Sequence, residues 1–130
     1  MKQLYQTHQI IEESEKPNET ISNNSSDDAA FQVMYLSLQL REKLEKGDIE
    51  AAKPIAESLY NKLKSSNFDT EKNLETEMVG YIHLTAFYES TKDNAKFQSC
   101  TQKAINIVQK ILKINPNNST AKSFINYMNN

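Results

Sequence analysis

Two side chains in this sequence suggest nucleophilic catalysis: the single cysteine, Cys100, and one of two histidines, His83, the other being His8. A thiolate beside an imidazole makes a nucleophile and base, provided a third group orients the ring and backbone donors await the oxyanion. The spacing predicts otherwise. Cys100 falls between Phe97 and Ala104 on an apolar helix face, where it reads as a small buried hydrophobe. His83 lies beside the apolar stripe of another helix, and no acid stands at an orienting distance in sequence. Two histidines without an H-E-x-x-H spacing, and one cysteine without a second, predict no metal site. The acidic pairs Glu12–Glu13 and Asp27–Asp28 read as solvated charge and helix caps. Only two glycines occur, so no phosphate-cradling loop can be built. The expectation is a non-enzymatic chain without cofactor or metal.

The whole chain has 130 residues, 15 Lys+Arg against 17 Asp+Glu, and a net charge of −2. That is the length of one domain. A nucleic-acid binder would show a basic excess. The cluster Lys62, Lys64, Lys72, Lys92 and Lys96 is offset by Asp69, Glu71 and Glu75, so no nucleic-acid partner is expected. No run of about 18 apolar residues is present, so no membrane span is expected. The first twenty residues lack an apolar core and a small-residue cleavage site, and the expected location is cytoplasmic.

Two glycines, three prolines and abundant Lys, Glu, Gln, Leu and Ala point to helix. The fold class expected is all-α. Residues 1–28 read as an N-terminal segment, flexible or loosely docked, and 29–130 as the folded domain. Leu4, His8 and Ile11, with Tyr5 alongside, give residues 1–14 a weak amphipathic face. Residues 15–28 are polar and interrupted by Pro17.

A first helix is predicted to open at Ser25 or Ser26, with a capping-box-like Ser25–Asp28 pair, and to run from Ala29 to about Lys46. Gly47 should end it in the left-handed conformation. Asp48 should cap a second helix reaching Ser65, with a stripe of Ile49, Ala52, Ile55, Ala56, Leu59 and Leu63. Pro54 predicts a kink, or a helix regular only after Lys53. Asp69 or Thr70 should cap a third helix over 71–91. A fourth is predicted over 95–114 and a short last one after Asn118 or Ser119. Short turns make neighbouring helices antiparallel, and such pairs must stack to bury their faces.

The run Gly47-Asp48-Ile49-Glu50-Ala51-Ala52-Lys53-Pro54-Ile55-Ala56 resembles the inter-helix turn and second helix of a tetratricopeptide repeat. Ala104, Val108 and Leu112, followed by Asn115-Pro116-Asn117-Asn118, are similar to the end of such a repeat. The chain lacks the W-x2-L-G-x2-Y motif and has no Trp. Its two tight turns, at Gly47 and Asp93, lie about 46 positions apart, against about 34 in that family. The resemblance implies two stacked hairpins, a C-terminal capping helix and a protein-binding scaffold.

In such a stack the first helix of each pair lines one common face. The second apolar lines of helices one and three, Phe31, Tyr35 and Leu38 with Tyr81, Leu84 and Tyr88, widen those helices beyond one buried stripe. They are the expected partner-binding residues for a protein or peptide, tyrosine offering both area and a hydroxyl. Their alternative role is to complete an ordinary core. A homodimer formed through exposed ends of the stack is the second expectation. Residues 1–14, tethered by a linker, supply a possible self-ligand for the same surface.

Overall fold

Two turns of the same construction organise the chain. The computed structural model describes residues 25–129, of which Ser25 is described in its backbone alone. At Gly47 (φ 72°) and Lys92 (φ 60°) the backbone enters the left-handed region. At the first turn, Gly47 N donates to Leu44 O at 3.1 Å and Asp48 N to Lys43 O at 2.9 Å. At the second, Lys92 N donates to Glu89 O at 3.2 Å and Asp93 N to Tyr88 O at 2.9 Å. These are paired Schellman bonds, which satisfy the last carbonyls of one helix. The following aspartate then caps the next helix. Asp48 Oδ1 accepts from Ala51 N at 3.1 Å, and Asp93 Oδ1 accepts from Lys96 N at 3.2 Å.

The resulting helices are α1 (Ser25–Glu45), α2 (Ile49–Lys64), α3 (Glu71–Ser90), α4 (Asn94–Ile114) and α5 (Ser119–Asn129). Among the described residues there is no strand, so the all-α class and its antiparallel hairpins, α1–α2 and α3–α4, stand as expected. None of these helices is long and apolar enough to cross a membrane. The expectations about Leu4, Tyr5, His8, Ile11 and residues 15–24 lie outside the described residues, as does the side chain in the Ser25 cap.

α1 opens at Ser25, where its start was expected, and Asp27 and Asp28 in its first turn suit the positive end of the helix dipole. One helix start differs from expectation. Pro54 does not interrupt α2, which is assigned continuously from Ile49. Proline frees the Glu50 carbonyl, but Glu50 and Pro54 are both exposed, so water can replace the lost donor.

The hairpins stack with α1 and α3 parallel. Near their starts, Asn73 Nδ2 donates to Asp27 Oδ1 at 2.9 Å. Two turns on, Gly80 meets Val33: a Cβ added at Gly80 would stand 3.0 Å from Val33 Cγ1 and 3.2 Å from Leu63 Cδ1. The missing side chain lets α3 approach both helices of the first hairpin. α3 is therefore the centre of the fold, packed against α1, α2 and α4. Leu74, Met78 and Leu84 on it are sealed, with Leu40, Leu59 and Ile111 around them. Burial of this apolar surface is the main stabilising term.

Asn118 fastens the last helix. Its side-chain nitrogen donates to Glu71 Oε2 at 2.7 Å and to Glu75 Oε2 at 2.6 Å, while its oxygen accepts from Ala121 N at 2.8 Å. Asn115 Nδ2 adds a 2.8 Å bond to Glu71 Oε2. Those amides hold the Glu71 carboxyl below its usual range, whereas burial pushes Glu75 upward.

Candidate functional site

Among the described residues, the two candidates for nucleophilic chemistry, His83 and Cys100, are sealed. His83 is wholly buried, its Nδ1 2.8 Å from Val79 O, and burial pushes its pKa down to about 4. Cys100 is also buried, and desolvation lifts its thiol to about 11, leaving it protonated and unreactive at neutral pH. Among the described residues no group of three or more His, Cys, Asp or Glu could hold a metal ion.

The six expected binding residues do not share one surface. Phe31 and Tyr35 stand in solvent, 47% and 57% exposed, and Leu38 is half-buried beside them. Tyr81, Leu84 and Tyr88 are buried in the core. For these three the alternative role, completing the core between helices, is the one their position fits. The cause is helical phase. All three lie on one side of Gly80 on α3, turned toward α2 and α4, and desolvation raises the hydroxyls of Tyr81 and Tyr88 to about 12. α3 is apolar nearly all round, so its pattern singles out no face.

Tyr88 nevertheless borders an opening. A groove of about 520 Å³ runs between α2 and the α3–α4 turn, lined by Lys53, Glu57, Tyr60, Phe87, Tyr88 and Lys96 among others. Tyr60 and Tyr88 meet edge to face, with ring centroids 6.4 Å apart, and Phe87 packs on Tyr88 at 5.3 Å. The Lys96 ammonium lies 5.4 Å from the Tyr60 ring centre and 5.5 Å from that of Tyr88, and Lys64 stands 5.3 Å from Tyr60. Such cation–π contacts fix the rings and leave the lysine head at the groove mouth. Asp93, also in the lining, is engaged as the α4 cap.

Tyr60, absent from the expected set, is the principal half-open aromatic of this groove. It falls between the stripe positions Leu59 and Leu63 of α2. The available signal was an aromatic beside a stripe that needed none. A second, smaller hollow of about 180 Å³ lies where Phe97 of α4, Ile82 of α3 and Phe124 of α5 converge.

No protein-family model, no curated protein and no solved structure matches this chain.

Proposed function

We propose that the chain is a non-enzymatic, tetratricopeptide-like interaction module, and that the groove between α2 and the α3–α4 turn receives a segment of a partner protein. The carrying observation is the Tyr60–Tyr88–Lys96 cluster at an open groove. Tyrosine is one of the side chains on which binding energy concentrates, and a lysine held over its ring adds a charge for an acidic partner. Lys53, Lys96 and the Asn61 amide at the rim supply donors for a carboxylate, while Ala56 and Phe87 supply an apolar floor. A peptide with an acidic and an apolar residue in neighbouring positions fits this lining.

The test is selection of peptides from a displayed library against the full chain, followed by titration of the enriched sequences. Tyr60→Ala and Lys96→Glu should each weaken binding by about tenfold or more, a loss of at least ~1.4 kcal/mol, with the melting transition retained. Equal affinity for both variants and the parent would refute the groove.

A homodimer is the second reading, favoured by Phe31 and Tyr35 on the outward side of α1. Sedimentation across a dilution series decides it: a concentration-independent monomer excludes that reading.

A further inference from the structure

The hollow between α3, α4 and α5 carries an inference independent of the groove, with which it shares no lining residue. Its floor includes Ile82 of α3 and Ala104 of α4, both buried. Phe97 of α4, with Phe124 and Tyr127 of α5, gives it aromatic walls. Between these, α3 and α4 contribute Thr85 and Thr101. Each spends its hydroxyl proton on its own helix: Thr85 Oγ1 donates to Ile82 O at 2.6 Å, and Thr101 Oγ1 donates to Phe97 O at 2.8 Å. A hydroxyl has one proton, so neither threonine offers a ligand a donor. The one charged residue of the lining is Glu89, which together with Met128 is exposed and marks the mouth. Its carboxylate enters no ion pair among the described residues.

These features define a ligand. At about 180 Å³ the hollow is somewhat larger than the roughly 150 Å³ apolar cavity that admits a benzene ring. Aromatic walls favour an aromatic guest, because edge-to-face contacts add to the gain from burial. An unpaired carboxylate at the mouth attracts a cation at the end of a short chain. We propose that the hollow is a binding site for a small arylalkylamine, its single ring buried against Phe97 and Phe124 and its ammonium held at Glu89. The walls select for the ring, and Glu89 selects for the charge. A hydrocarbon of the same shape gains burial alone, and an arylalkyl carboxylate meets a like charge.

Phenethylamine, ethylbenzene and phenylpropionate are the probes, each titrated into the isotope-labelled full chain and followed by NMR. With phenethylamine the methyl resonances of Thr85, Thr101 and Ala104 should move and saturate. Ethylbenzene should move the same resonances with about fivefold weaker affinity, and phenylpropionate should bind more weakly still. Glu89→Gln should weaken phenethylamine by about fivefold and leave ethylbenzene unchanged. Thr101→Leu, which fills the hollow from α4, should abolish saturation by both, with the helical circular dichroism retained. Glu89→Gln alters no buried residue, so it decides the matter even where Thr101→Leu unfolds the chain. Shifts that do not saturate at millimolar probe, or that centre on Tyr60 and Tyr88, overturn the site. Equal affinity for amine and hydrocarbon, or an amine affinity that ignores Glu89→Gln, overturns the ligand class.

Discussion

The two hairpins, α1–α2 and α3–α4, share one turn design and differ in what surrounds it. Each closes with the same pair of Schellman bonds and the same aspartate cap. In the first, glycine takes the left-handed position; in the second, Lys92 takes it and bears the steric cost of its Cβ. The larger contrast lies in the leading helices. Tyr35 of α1 and Gly80 of α3 each stand 12 positions before the left-handed residue of their turn, Gly47 or Lys92, yet one is 57% exposed and the other receives Val33 and Leu63. Among the described residues nothing stacks outside α1, whereas α3 has a hairpin on one side and its own partner on the other. Position in the stack, more than position in the helix, decides what a residue must be.

That contrast breaks most visibly at Gly80 and Tyr35. Gly80→Leu should cost about 3 kcal/mol by overpacking against the stiff Val33, despite a gain of about 1 kcal/mol in helix propensity. Tyr35→Leu should change stability by no more than about 0.5 kcal/mol. Denaturant midpoints of the pair check this, and equal losses would remove the distinction between outer and inner hairpin.

Asn118→Ala removes the amide that joins Glu71, Glu75 and the start of α5. A loss of about 2 kcal/mol is expected, and circular dichroism during thermal melting measures it. The turns give a smaller, opposite-signed pair. Gly47→Ala should destabilise by about 1 kcal/mol, and Lys92→Gly should stabilise by a similar amount, because only glycine is at ease at positive φ. The same sign at both sites would mean the turns are not equivalent.

The last effect is electrostatic. Burial, resisted by Lys110 and Lys103, raises Glu77 from its usual 4.5 to about 7. The folded state thus holds this proton more tightly than the unfolded chain. The stabilisation is complete below about pH 4.5 and is lost as pH rises through about 7. Glu77→Gln, which cannot ionise, should therefore melt near the parent at about pH 4 and above it at about pH 8. His83, held down near 4 by burial, slopes the other way and is common to both proteins. A parent that outlasts the variant at the higher pH contradicts the assignment.

Much of the fold was legible in the sequence, because helix ends are local chemistry. Gly47, Asp48, Thr70 and Asn118 announced their turns and caps, and each acts as its type requires. The α2 stripe also read correctly, since one face is buried and the other wet. The site was less legible. α3 is buried nearly all round, so the line of Tyr81, Leu84 and Tyr88 could not by itself tell a groove from the core. Tyr60 and Lys96 come together only through the stacking of α2 on the second hairpin, a long-range event that no local pattern encodes.

The account rests on α3 as the shared wall of both hairpins, with its end flooring the groove at Tyr60 and Tyr88. Residue-resolved amide exchange of the full chain under native conditions tests this most directly. The slowest amides should belong to α3 around Met78–Leu84 and should open only with global unfolding. Faster exchange in α3 than in α2, or a first hairpin that opens while the second stays closed, would contradict it.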